Sequence, residues 1–326
     1  MRRLPLTLLA LGSLFALPAN AFGWNERGHK TVAYIAYQNL STSPSNNVRK
    51  RVDDLLKLNP YYPKWTQNVP AAQRGLAAFL GAAVWPDDIK SDGAYGESPD
   101  CAEAVHTNAF QDKERHRPWH YLDIPFSFDG TPVEQQCPHN ARTIINAFRA
   151  RLAATSAPGV PDLEEEKAYD LTWLIHLVGD IHQPLHATGR FSANRTHGDS
   201  GGNKYKIKPF TPAGANSAAA DLHTYWDHVL GDAQSTQSIG ALAGELTTRF
   251  RREPGDPPTD EAAVAAWLSE SFVLARYFVY ELDKEKVGQA DPAVSDRYNF
   301  YAQEVARQRI ALAGYRLADL LNQNLK

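Results

Sequence analysis

Apolar positions in this chain of 326 residues recur at intervals of three and four through most of its length. That spacing lines one face of an α-helix and does not fit a strand. Val32, Ile35, Ala36 and Leu40 form one stripe, Val48, Val52, Leu55 and Leu56 a second, and Leu76, Phe79, Leu80 and Ala83 a third. Ile144, Ile145, Phe148 and Leu152 continue the pattern, followed by Leu171, Leu174, Ile175 and Val178, and finally by a long segment from about Ser295 to Leu325. Stretches rich in Gly, Pro, Asp and Ser interrupt it at Lys90 to Pro118, Gly189 to Gly214 and Arg251 to Asp260. Only KYKIK, Lys204 to Lys208, alternates as one strand of a hairpin would. The pattern predicts an all-α fold, mainly helical with at most a short β-hairpin. It contains no internal repeat. The segments flanking residues 251–260 are both helical and can pack together, so a single domain is expected rather than a split there.

The N-terminus breaks this pattern. Arg2 and Arg3, an apolar run from Leu4 to Leu17 and small residues after Pro18 predict a secretory signal peptide. Its apolar run of roughly 14 residues falls short of the ~20 needed to cross a bilayer, and no later charge-free segment reaches that length. A soluble secreted or periplasmic protein with no membrane anchor is expected. Cleavage between small residues fits after Ala21 and after Gly23, and the residues alone leave both open. The leader holds two Arg and no acid, so the mature chain carries 32 basic and 37 acidic side chains, a net charge of −5. A broad polyanion-binding surface does not fit that balance, so any attraction for phosphate must be local or come from metal. Cys101 and Cys137 are the only cysteines, and an oxidising compartment makes them a candidate disulfide.

Candidate chemistry lies in the eleven histidines, specifically in those that pair with acids at ligand spacing. WLIHLVGDIHQPLH holds His176 and Asp180 four apart, on one face of a helix, and Pro184 should end that helix and leave His186 on the following turn. DLHTYWDH repeats the device with His223 and Asp227. A lone pair of this kind is usually a cap or a surface contact. Two pairs, with His186 between them, point to zinc, which takes imidazole and carboxylate together and keeps positions open for water or substrate. Single positions are more ambiguous. Asp87 and Asp88 follow AAVWP and read equally as helix-terminating acids; His120, in RPWHYLDIPF, reads equally as a buried structural histidine. His29 would by default face solvent, and His182 is a candidate to orient a ligand. His106, His116, His139, His197 and His228 are read as surface residues.

Taken in order, Trp24-x4-His29, the WPD containing Asp87, the aromatic-flanked His120, His176-x3-Asp180-x5-His186, GGN at Gly201 to Asn203, and His223-x3-Asp227 form a recognisable series. The chain resembles the secreted zinc-dependent single-strand-specific nucleases and 3′-nucleotidases of the mung bean nuclease type. The likeness runs from Trp24 to AGYRLADLLN near the C-terminus. It implies a mostly helical catalytic domain over residues 24–326, following a signal peptide at 1–23, with three Zn²⁺. By this resemblance Asp87, His120, His176 and Asp180 hold one zinc. The α-amine and carbonyl of Trp24, with His29 and the bridging Asp180, hold a second, and His186, His223 and Asp227 hold the third.

The resemblance also implies in-line hydrolysis at phosphorus by zinc-activated water, with no side-chain nucleophile. Lys90 and Asn203 would stabilise charge on the phosphate; a solvated lysine and a loop asparagine are the plainer readings. Tyr121 and Asp123 would hold a nucleobase, the ring by stacking and the carboxylate by accepting from an exocyclic amine. Bases inside a duplex cannot enter such a site, so single-stranded DNA and RNA and 3′-mononucleotides are the expected substrates, acted on by a monomer without a stable protein partner. The interval from His186 to His223 is longer than in fungal members, and there are fewer cysteines. If the Trp24 amine binds metal, cleavage must fall after Gly23. The rival is bacterial zinc phospholipase C, whose last helix ligand is usually Glu where this chain has Asp227 and whose first His lies further from the Trp. A zinc-binding or adhesion protein without turnover is the third reading.

Overall fold

The computed structural model describes residues 23–98, 108–135, 137–252, 254–255, 257–283 and 291–325. Nearly all of the leader, Cys101 and His106 lie outside the described residues. Eleven α-helices are found among those described: α1 Glu26–Gln38, α2 Val48–Leu56, α3 Tyr62–Thr66, α4 Arg74–Ala82, α5 Trp85–Asp88, α6 Ala141–Ala153, α7 Leu163–Asp180, α8 Leu222–Asp227, α9 Thr236–Arg249, α10 Glu261–Tyr277 and α11 Asp296–Asn324. The expected all-α fold is the observed one, and every helical stripe of the sequence lies on an element.

At the centre lies α7, where every residue from Glu166 to Asp180 is buried. A helix buried all round has no solvent stripe, and its 3.6-residue pattern is correspondingly blunted. Its start is well specified. The Asp162 side chain accepts from the backbone N–H of Glu164 and Glu165, and Glu164, Glu165 and Glu166 place negative charge in the first turn, both favourable at the positive end of the helix dipole. Helices α1, α2, α4, α5, α6 and α11 pack around it, and α9 and α10 lie outside α1 and α6. Close approach of α11 to α1 depends on Gly314, where a methyl would stand 2.6 Å from Ile35.

Strand content exceeds the expectation by one pairing. The KYKIK segment does enter an antiparallel pair, β3 Lys206–Phe210 with β4 Ala219–Asp221. A second, parallel pair joins β1 Pro125–Ser127 to β2 Gly189–Phe191. Three residues on each side give no alternation to detect, which is why the sequence does not announce it. Its consequence is positional: it fastens the segment after His120 to the segment after His186.

Candidate metal centre

Five elements converge on the buried face of α7. His176 and Asp180, one turn apart, bring Nε2 and Oδ2 to 3.0 Å. From α1, His29 stacks flat on His176 with ring centroids 3.9 Å apart. Glycine at 179 permits this, since a methyl there would lie 2.9 Å from His29 Nδ1. Helix α5 presents Asp87, whose Oδ1 is 3.7 Å from His176 Nε2 and 3.9 Å from His120 Nδ1. A 3₁₀ turn at Arg117–His120 delivers His120, with Nδ1 at 2.9 Å from Asp180 Oδ2 and 3.0 Å from His176 Nε2. Asp180 thus uses one oxygen toward His120 and His176 and the other toward His29, at 3.2 Å.

The third group lies one step further along the chain. As expected, α7 ends before Pro184, and a 3₁₀ turn at Pro184–Ala187 carries His186. His186 Nε2 faces His223 Nε2 at 3.2 Å, and Asp227 Oδ2 stands 3.6 Å from the same His223 nitrogen. His186 Nδ1 is 3.7 Å from Asp180 Oδ1, which places this group beside the first cluster. A tight turn at Gly201, with φ +59°, brings the loop over His223; a methyl there would fall 2.4 Å from the Leu185 carbonyl.

Hydrogen bonds behind the rings fix which nitrogens are bare. His176 Nδ1 is 2.7 Å from the Ala83 carbonyl, His186 Nδ1 2.8 Å from the His120 carbonyl, and His223 Nδ1 2.7 Å from the Gly201 carbonyl. A carbonyl can only accept, so each Nδ1 carries a proton, and wherever the ring holds no second proton its Nε2 lone pair turns inward. His186 and His223 bring two Nε2 atoms to 3.2 Å beside a carboxylate, an arrangement that needs a proton or a metal ion between them. In the first cluster, both His29 nitrogens and Asp180 Oδ1 are buried and make no hydrogen bond among the described residues. Such orphaned atoms are costly to bury unless something binds them. The residues fit metal ions: three adjoining groups, His29/His176/Asp180, Asp87/His120/His176 and His186/His223/Asp227, each bring their ligand atoms within 4.8 Å of one another, as does a fourth group elsewhere, Asp112/Glu114/His116.

Protonation at four of the groups agrees with that fit, while burial of His176 is outweighed by Asp180 and Asp87, which raise it. Burial would raise the Asp87 carboxyl, but the Lys90 ammonium and the surrounding histidines hold it at about 2. Asp180 lies well below the usual carboxylate range, its burial overcome by His176 and His186. Burial and then Lys90 push His120 down to about 3, and burial lowers His29. Two ionised carboxylates and two neutral imidazoles are the forms a divalent ion needs. Asp227 differs: burial drives its carboxyl well above its ordinary value, partly offset by a hydrogen bond from Gln183. A cation among its neighbours would reverse that direction.

The remaining predicted residues fall in two places. Trp24 is buried, and the backbone just before it runs against the cluster, since a methyl on Gly23 would collide with Asp180 Oδ1 and lie 3.0 Å from His29 Nε2. Lys90 is no solvated lysine; it is 3% exposed and donates from Nζ to Asp87 Oδ1 at 2.7 Å. Asn203 instead donates to the Ser200 carbonyl within its loop, at 2.8 Å. Tyr121 and Asp123 line a cavity of about 170 Å³ with Asn140, Gly189, Phe191 and Ser200. Burial and the nearby Asp199 raise the Asp123 carboxyl to about 8.

Several histidine readings need correction. His29 is fully buried because α1 enters the core at its first turn. His116 is buried, stacked on Trp119 and paired with Asp112 at 2.6 Å; His228 pairs with Asp232, also at 2.6 Å. Both acids stand four residues from their histidine. His182 orients no ligand: its ring bonds the Val178 carbonyl and Arg316, on the side of α7 away from the cluster. Gln183, which does reach a candidate ligand, is invisible to a search restricted to titratable side chains.

With the geometry established, comparison with known proteins places the chain. The S1/P1 Nuclease family model matches residues 24–326, and the chain belongs to that family of nucleases. Among curated relatives, Nuclease S1 of Aspergillus oryzae is 24% identical over 339 residues, covering 98% of this chain and 97% of its own. Endonuclease 3 of Arabidopsis thaliana is 25% identical over 325 residues, covering 95% and 92%, and Nuclease PA3 of a Penicillium species is 25% identical over 325 residues, covering 92% and 97%.

Proposed function

We propose that residues 24–326 form one catalytic domain that hydrolyses single-stranded DNA and RNA to 5′-nucleotides and removes phosphate from 3′-mononucleotides. The observation that carries this reading is the convergence of Nε2 atoms with Asp180 and Asp227, each ring held from behind by a backbone carbonyl. Three zinc ions in these groups would supply activation of water and stabilisation of the departing oxygen. His29, Trp24 and Asp180 would hold one, Asp87, His120, His176 and Asp180 a second, and His186, His223 and Asp227 the third.

The chain's own residues do the rest. Asp180 ties two groups together because its oxygens face opposite ways. Lys90, buried against Asp87, keeps that carboxylate ionised and would place its charge beside a phosphoryl oxygen. Asn203 is a second candidate donor, with one of its two amide hydrogens given to the Ser200 carbonyl. Tyr121 offers a stacking face and Asp123 a polar contact in a cavity large enough for one base and closed to a paired one. A cleavable leader fits export to the periplasm or medium, and the closeness of Gly23 to Asp180 supports cleavage after Gly23.

The test is release of phosphate from 3′-AMP but not from 5′-AMP, abolished by chelator, together with cleavage of single-stranded and not duplex DNA. Equal release from both nucleotides overturns this reading, and phosphatidylcholine cleavage without release from either assigns the chain to the phospholipase reading instead. N-terminal sequencing should return Trp24; Phe22 at the start of active, fully metallated protein refutes the proposed cleavage.

A further inference from the structure

Gln183 is a fully buried polar side chain that belongs to none of the three cation groups, yet it touches the machinery of two. Its backbone N–H donates to the Asp180 carbonyl at 2.9 Å, and its carbonyl accepts from the His186 N–H at 3.0 Å. Its side-chain Oε1 accepts from the Leu185 N–H at 2.6 Å, opening the 3₁₀ turn that carries His186. Its Nε2 donates to Asp227 Oδ1 at 2.8 Å.

The amide orientation is forced. A backbone N–H can only donate, so the atom it meets must be the amide oxygen, and the NH₂ then has to face Asp227. Asp227 Oδ1 is engaged by this bond, and Oδ2 is the oxygen that faces His223. Asp227 ends α8 while His186 rides the turn after α7, and 41 residues separate them in sequence. One amide thus sets the position of one ligand and the rotation of another.

We propose that Gln183 is a positioning residue for the His186/His223/Asp227 group, dedicating Asp227 Oδ2 to the cation held there; this rests on the metal reading of that group given above. Glutamate at this position keeps the acceptor that opens the turn but replaces the donor with a second carboxylate against Asp227. Leucine removes both hydrogen bonds at nearly the same volume. An outer partner of a metal ligand sets affinity by roughly 10- to 100-fold.

The test is zinc content and chelator competition on the mature protein, wild type against Gln183→Glu, Gln183→Leu and His223→Ala, at pH 8. Wild type should retain three zincs per chain. Both Gln183 variants should release one zinc at a chelator concentration about 10- to 100-fold lower while holding the other two, as His223→Ala does outright. Unfolding midpoints measured in excess chelator report the folding cost of each variant apart from metal, and loss of one zinc with the other two held is what a role in folding alone would not produce. Wild-type competition curves in both variants overturn the proposal, as does uniform loss of all zinc with a lowered midpoint in chelator. Fewer than three zincs in wild type, unchanged by His223→Ala, overturns the metal reading of this group and the proposal with it.

Discussion

Two kinds of histidine and aspartate clusters occur in this molecule, made of the same residues at the same four-residue spacing. At His116 the ring nitrogen facing Asp112 lies 2.6 Å from one carboxylate oxygen, that oxygen also accepts from the Tyr169 hydroxyl at 2.8 Å, and the other accepts from the Glu114 N–H at 2.9 Å. At His176, His186 and His223 the proton goes outward to a backbone carbonyl, and the inward nitrogen meets another acceptor. The difference lies behind the ring, where a backbone carbonyl takes the Nδ1 proton of His176, His186 and His223. Around the Asp112 carboxylate each of these contacts is a hydrogen bond between donor and acceptor, whereas converging acceptors call for a proton or a cation.

Breaking the converging set should have the largest effect. Asp180→Asn removes a charge from the carboxylate that His29, His120 and His176 all face. We expect turnover of single-stranded DNA to fall on the order of 10³-fold, about 4 kcal/mol of barrier, with zinc lost from the two groups that share this residue. Full zinc content and normal turnover would show that no ion needs both oxygens.

Breaking the closed sets should cost stability and leave metal in place. Asp112→Asn takes the charge from a buried ion pair, and about 3 kcal/mol of unfolding free energy should be lost. Asp232→Asn disturbs a pair in which the His228 side chain is 31% exposed, so about 1 kcal/mol is expected. Urea unfolding gives both values, and elemental analysis should find wild-type zinc in each. Loss of one zinc from Asp112→Asn would place an ion at Asp112, Glu114 and His116, and the distinction drawn from proton direction would fail.

This distinction explains what could be read from sequence. Helical stripes, the end of α7 before Pro184 and the two His-x3-Asp pairs depend on local spacing, which the chain displays directly. Spacing cannot say that His116 and Asp112, at the same interval, form a closed pair, because a deciding partner, Tyr169, comes from elsewhere in the chain. His29 was hidden for a similar reason: its burial follows from stacking on His176 across Gly179, a contact between helices far apart in sequence. Gln183 escaped because neutral amides carry no titration signal. The β1–β2 pairing, three residues long on each side, is too short for any periodicity.

The smallest effect is also the one that isolates the closed pair. Burial alone would raise the Asp112 carboxyl, but hydrogen bonds from His116 and Tyr169 hold it below its ordinary value of 3.8. A carboxyl lowered by folding contributes stability above its unfolded value, and that contribution disappears as pH falls through the native value. The stability gap between wild type and Asp112→Asn should therefore stay constant from neutral pH to about 4 and narrow only below it. Measuring the gap in chelator removes any contribution from metal release, and taking a difference cancels the other carboxylates. A gap that holds its full size or widens down to pH 3 would mean that Asp112 is not ionised against His116, and that the pair is held by packing on Trp119 rather than by charge.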